Sequence, residues 1–563
     1  MTGDSQTEDD RTTNRRTTTH PPDAVVEHAD TVLVDGDVLT VDDEFSTAEA
    51  VAVRDGRILA VGTTAEIREL AGPETAEIDL AGRTAIPGLI DSHCHLRQVG
   101  MDLERVTFHD ARSIADVLDA VEEAAAETPD GEWVQASWGW HESQLAEDRL
   151  PTRDELDQVA PDNPVFIPRG GHVAVLNSAA FDRVGIDAET ADPDGGTIVR
   201  DPETGRASGA VLENARTELV EPVLPDRGYE EFRADITRGM AELNSRGVTA
   251  VLEPGVEPDV MRAYQSVAAQ DEATLRVDAL VRVYEADDVT AHARPFARGF
   301  GDEFLKVGGV KYMLDGGVEG ARLSEPYEVV EGVQEQDDFH GHYLWPPGGE
   351  AELVEMFRRA AEYGHQVQTH VVGDEAIGTL LDAYEAVDEE IDIAPLRWTA
   401  MHLFLPTDEH LERMDDLGVL ATLQNHSTYL GRNMEKLWGQ QRAERAIPLR
   451  TVVDSPVPAG GGTDAPVVPW YPFDSLWWMT SRETVTAGEL GPEEALSREE
   501  ALRLWTRGSA YTMAWEDELG SIEAGKRADI AVLDTPYLDC SPAELRETTV
   551  ELTMVGGDIV HEA

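Results

Sequence analysis

The run Ile86-Pro87-Gly88-Leu89-Ile90-Asp91-Ser92-His93-Cys94-His95 decides how this chain reads. Its short apolar start reads as a buried strand. Alternate side chains of an extended segment share a face, so His93 and His95 point one way and Cys94 points the other, into packing. Two imidazoles leaving a strand end on one side can chelate a divalent ion; the plain alternative is a pair of surface histidines. Position favours the chelate, because the pattern recurs at later strand ends. His370 closes residues 366–369, His402 closes residues 398–401, and Asp464 follows Gly460-Gly461-Gly462-Thr463. Each alone reads as a satisfied structural residue. Together they make a mixed nitrogen and oxygen donor set, which suits zinc, with iron or manganese as alternatives.

The 563 residues exceed one compact core, so at least two structural units are expected. Lys and Arg number 45 against 111 Asp and Glu, a formal net charge of −66. Coulomb repulsion therefore excludes nucleic acid and anionic membrane as partners. The acidity is spread over many segments and suits very high salt, where screening acts over a few ångströms, which implies a halophilic source. The only cysteines, Cys94 and Cys540, give no disulfide framework. No apolar stretch approaches the roughly 20 residues that span a bilayer. Residues 1–28 read as a disordered polar and acidic tail, and no hydrophobic segment follows Arg15-Arg16, so an export signal is not expected. The expectation is a cytoplasmic protein acting on a small molecule, with homo-oligomerisation left open.

From Asp30 to Ala85 short β-branched runs alternate with Asp35-Gly36 and Asp55-Gly56 turns, a hairpin signal. The far C-terminus repeats this character at residues 529–533 and 550–555. Each end is too small to bury a core alone, so one β domain assembled from both ends is expected, over 29–85 and 515–563. The middle, 86–514, alternates strands (133–136, 164–167, 248–252, 307–313, 367–370, 399–402, 419–423, 458–461) with amphipathic stretches at 351–363, 374–388 and 408–417. That alternation predicts an α/β fold with a parallel sheet, and at this length a (β/α)8 TIM-like barrel leads. No Gly-rich phosphate loop favours a doubly wound sheet. The stretch 97–235 is too long for one βα unit and reads as an insertion.

Lys311 ends an apolar strand and precedes Asp315-Gly316. It reads either as an ordinary strand-end lysine paired to Asp315 or as a carboxylated lysine bridging two metals. Trp138, Trp140 and Trp470 read as packing residues or as the lining of an apolar pocket.

The opening run resembles the first-strand motif of the amidohydrolase superfamily. Further stretches resemble its family 3 branch, which includes N-substituted formamide deformylases. They are Arg169-Gly170-Gly171-His172, Gly195-Gly196-Thr197-Ile198 with Gly209-Ala210-Val211-Leu212-Glu213, Gly309-Val310-Lys311 with Asp315-Gly316, His370-Val371-Val372-Gly373-Asp374, His402, and Gly462-Thr463-Asp464-Ala465-Pro466. The resemblance runs from about Asp30 to the end. It implies that His93, His95, Lys311, His370, His402 and Asp464 hold one or two divalent ions, most simply zinc, and that the β-rich ends form a small β-sandwich. It also implies hydrolysis of a non-peptide C–N bond in an amide, formamide or cyclic amide, by a metal-activated hydroxide. Asp464 would move the proton, with His172 or His402 helping to stabilise the oxyanion. The same hydroxide would serve an ester, and a non-catalytic regulatory protein keeping the fold is the rival of another class. Three stretches depart from the family pattern: Met401-His402-Leu403-Phe404, Gly317-Val318-Glu319-Gly320-Ala321-Arg322, and Gln424-Asn425-His426, whose histidine stands off register.

Overall fold

Eight parallel strands carry the middle of the chain in a computed structural model that describes residues 28–170, 173–193, 196–201, 204–330, 334 and 336–563. They are β1 (Leu89–Asp91), β2 (Val248–Val256), β3 (Arg276–Arg282), β4 (Leu305–Met313), β5 (Gln366–Val371), β6 (Thr399–His402), β7 (Leu420–Gln424) and β8 (Ala459–Gly462). Each pairs with the next in chain order. Between β8 and β1 the ladder is replaced by single bonds. Ser92 N donates to Gly461 O at 3.0 Å, and Asp464 N donates to His93 O at 2.7 Å. Asp91 clasps the same seam, accepting from Thr463 Oγ1 at 2.6 Å and from His93 N at 3.0 Å. The result is a nearly closed (β/α)8 barrel, the expected class.

The barrel is filled on both sides of its wall. Ile90, Ala250, Leu252, Leu280 and Met401 form an inner cluster, while Val251, Val277, Val281, Val310 and Val367 pack outward with the helices. The helices Asp374–Asp388 and Asp408–Leu417 span the predicted residues, and Glu350–Glu362 lies within one residue of its prediction. The helix Asp408–Leu417 starts on a Thr407 capping box and stops at Gly418, whose φ of 65° suits a residue without Cβ.

The structure departs from two of the expectations. The run 86–90 is not one strand. Thr84–Pro87 belongs to a different sheet, and β1 begins only at Leu89. The chain crosses between sheets at Gly88, where a Cβ would lie 2.2 Å from Thr249 Oγ1, so only glycine fits. In addition, the strands near 134 and 165 lie outside the barrel. Val134–Gln135 and Val165–Arg169 join Val173–Leu176, Ala207–Glu213 and Gly196–Arg200 in a separate five-stranded sheet within the long β1–β2 connection.

The chain ends meet in a six-stranded sheet ordered Asp558–Glu562, Val550–Val555, Ile530–Leu533, Thr84–Pro87, Asp37–Leu39, Thr47–Ala48. A four-stranded sheet of Arg57–Gly62, Ala50–Arg54, Ala29–Val34 and Ala71–Asp79 shares an apolar cluster with it, through Leu33, Val53, Ile58, Ile530, Val532 and Met554. Asp529 joins this assembly to the barrel by a two-point ion pair with Arg276, at 2.8 and 2.9 Å. Among the described residues no helix is long and apolar enough to cross a membrane.

Candidate metal centre

The C-terminal ends of the strands gather the donors around one carboxylate. Asp464 Oδ1 lies 3.2 Å from His93 Nε2 and 3.3 Å from His95 Nε2. Its other oxygen, Oδ2, accepts from His426 Nε2 at 2.9 Å. His93, His95 and Asp464 form one group whose donor atoms lie close enough to share an ion, and His402, His426 and Asp464 form a second. The His402 ring stands 4.6 Å from that of His93 and 4.5 Å from that of His370, centroid to centroid. Nδ1 of His402 donates to Gln424 Oε1 at 2.8 Å, which turns Nε2 toward the cluster.

The electrostatics suit cation binding. Burial pushes the imidazoles of His93 and His370 down to about 3 and that of His402 well below its ordinary value. They are therefore neutral at pH 7 and keep a lone pair to donate. Burial alone would raise the Asp464 carboxyl, but the His93 imidazole and the hydrogen bonds from His426, His93 and His95 hold it well below the usual carboxylate range. His93, His370 and His402 thus bring no positive charge to this buried carboxylate, and His93 Nδ1 and His426 Nδ1 find no hydrogen-bond partner. This donor set fits a divalent cation.

Backbone strain sits at the same residues. His402 has φ of 73° and Asp464 has φ of 66°, the left-handed region that costs a non-glycine residue on the order of 1–3 kcal/mol. The strand ends are thus held in conformations that aim these side chains inward.

Lys311 is buried on β4, its Nζ 2.7 Å from Met401 Sδ, and burial pushes its ammonium well below the ordinary value. The alternative pairing with Asp315 does not occur. Asp315 instead accepts the backbone N–H groups of Arg322, Val372 and Gly373 at 2.9–3.0 Å. Cys94 faces the core, as expected. His172 lies outside the described residues.

A cavity of about 490 Å³ opens over the cluster, lined by His93, His95, Lys311, His370, His402 and Asp464 together with His426. That volume is ordinary for a small-molecule site. Trp138 and Trp140 line it, whereas Trp470 is buried elsewhere against His109, its Nε1 donating to Glu242 at 2.9 Å. The sequence reading gave no role to three further residues of this site. His426 opens the helix after β7, and its position at a strand end was the available signal. Glu253, at the cavity wall on β2, accepts from Tyr264 and lies 3.9 Å from His95 Nδ1. Glu319 accepts from Arg169 at 2.9 Å and from Asn433 at 3.1 Å, with His141 Nε2 also at 3.1 Å. That knot ties the five-stranded sheet to the barrel mouth.

The chain belongs to the amidohydrolase family, whose pattern it matches over residues 76–561. It is 31% identical to N-substituted formamide deformylase of Arthrobacter pascens, over 95% of this chain and 98% of that protein. It is 28% identical to protein LONG AFTER FAR-RED 3 of Arabidopsis thaliana, over 95% and 92% of the two chains. Among solved structures, an uncharacterized metal-dependent hydrolase from Pyrococcus furiosus is similar at 27% identity and a TM-score of 0.68, covering 91% of this chain and 99% of that one.

Proposed function

We propose that this protein is a metal-dependent amidohydrolase that cleaves a non-peptide C–N bond, in an amide, formamide or cyclic amide. The observation that carries the reading is the convergence of His93, His95, His402 and His426 on Asp464 at the barrel mouth. Family membership and the names of the deformylase and of the Pyrococcus furiosus hydrolase support it. His93, His95, His370, His402 and Asp464 would hold the ion, with Lys311 as a further ligand and zinc as the ion the donors suit best. Such an ion supplies a Lewis acid that brings the pKa of water toward about 7.

The chain's own residues do the rest. Asp464, ionised and buried, accepts the proton of the attacking water at Oδ1 and returns it to the leaving nitrogen. His426 holds Oδ2 and so keeps Oδ1 turned toward the cavity. His402 stands beside the developing oxyanion with its tautomer set by Gln424.

The test is turnover of a panel of N-acyl amines, formamides and matched esters by protein loaded with zinc, iron or manganese, alongside metal analysis. Hydrolysis of amides that disappears on chelation and returns with metal is expected. Full activity after chelation overturns the metal reading, and turnover of esters alone overturns the C–N assignment.

A further inference from the structure

We infer that Arg282 is a specificity residue of this cavity, and that the substrate carries a carboxylate which Arg282 binds beside the scissile bond. The inference rests on the hydrolase reading above.

Arg97, Arg169, Arg282 and Lys311 are the lysines and arginines that line the cavity. Arg97 faces Asp235 at 3.6 Å and lies over the Phe232 ring. Arg169 is clamped by Glu142 and Glu319, each at 2.9 Å. Lys311 lies among the metal-site donors. Arg282 differs: its Nε is buried without a hydrogen-bond partner, and among the described residues no carboxylate forms an ion pair with it. Acids for such a pair are abundant in a chain with 111 of them. Those at the wall are already engaged. Glu253 takes the Tyr264 hydroxyl and the Arg97 N–H, and Glu257 takes the Tyr284 hydroxyl at 2.9 Å. Glu319 is held by Arg169, His141 and Asn433. The Tyr284 side chain is a neutral neighbour of this guanidinium, which therefore lacks an anion that the substrate can bring.

Its geometry is preorganised for that role. Arg282 ends β3, and its guanidinium lies 4.9 Å over the Tyr284 ring, whose hydroxyl Glu257 fixes. The β3–β4 register sets Arg282 opposite Lys311, so an anion bound there is a neighbour of the metal-site donors. The planar fork of a guanidinium matches a carboxylate at two points. The substrate class that fits is an N-acyl amine bearing a carboxylate a few bonds from the amide.

The experiment compares two formamides on the metal-loaded full chain: N-formyl-4-(aminomethyl)benzoate and N-formyl-4-methylbenzylamine. The ratio of their kcat/KM values is the readout, because it ignores general loss of activity. We expect the unaltered protein to favour the acid, Arg282→Met to cut that preference by roughly 10-fold or more, and Arg282→Lys to keep part of it. No preference in the unaltered protein, or the same preference in Arg282→Met, overturns the inference. If the unaltered protein turns over neither compound, the formamide branch of the hydrolase reading fails separately. Calorimetric binding of 4-methylbenzoate against 4-methylbenzamide then decides for Arg282. Carboxylate binding weakened by about 10-fold in Arg282→Met supports the inference, and absent or unchanged binding overturns it.

Discussion

Two buried charged clusters stand at opposite ends of the barrel, and they are built on opposite principles. At the N-terminal end Arg276 meets Asp529 at two points, while Arg276 also reaches Glu303 O and Asp529 accepts from Gly556 N. Charge and hydrogen bonds are matched, so the cluster needs nothing more and serves to fasten the terminal sheet. At the C-terminal end the Asp464 carboxylate sits with the neutral His93 and His402, Asp464 and His402 in strained backbone, and the Nδ1 atoms of His93 and His426 are left unpaired. That cluster is incomplete without a cation. The contrast separates scaffold from site using charge balance alone.

The largest effect should come from breaking the incomplete cluster. Asp464→Asn keeps the shape of the side chain but loses the charge and the proton acceptor. Turnover of the best amide should fall by about 10²–10⁴-fold, with the thermal midpoint changed little. Near-normal turnover in that variant would remove Asp464 from the chemistry.

Breaking the complete cluster should do the reverse. Asp529→Ala leaves Arg276 buried without its partner and should cost about 3–5 kcal/mol in denaturant unfolding. The protein that remains folded should keep its kcat. A loss of kcat without a loss of stability would show that the two ends are coupled.

A smaller change sharpens the comparison inside the site. His426→Phe removes the donor to Asp464 Oδ2 while preserving bulk. Metal affinity or kcat/KM should drop by roughly 10–100-fold, the usual range for a partner that orients a ligand. An unchanged metal affinity and rate would reduce His426 to packing.

The mildest test asks whether burial alone keeps an imidazole neutral away from the cluster. His109 packs on Trp470, and burial pushes it down to about 4. Its folded pKa is thus below the unfolded value of about 6.5, so only the unfolded chain takes up the proton between those values. The contribution is full above pH 6.5 and is lost as pH falls toward 4. His109→Phe should flatten the pH dependence of unfolding free energy in that window, by at most about 1.4 kcal/mol per pH unit. An unchanged slope would show that His109 is protonated in the fold.

Much of the barrel was legible because its signals are local. Val248, Val307, Val367, Thr399 and Val419 begin or lie within runs whose apolar character marks buried strands, and the helix Asp408–Leu417 announces its own cap. Strand β3 was not legible. Arg276, Asp278 and Arg282 interrupt its apolar pattern, and the burial of Arg276 depends on Asp529, which lies far off in sequence. The two-sheet path through Gly88 was hidden for a similar reason, since a continuous apolar run carries no mark of which sheet each half joins.

By itself the sequence determined that His93, His95, His370, His402 and Asp464 stand at strand ends, because hydrophobic runs locate strand ends and the residue types advertise their chemistry. The family resemblance added Lys311 to that set. Only the tertiary structure decided that these ends meet, that His426 joins them through Asp464, and that Arg282 is left without an acid. Parallel register and the closure of β8 on β1 bring together side chains hundreds of residues apart. No local pattern carries those distances.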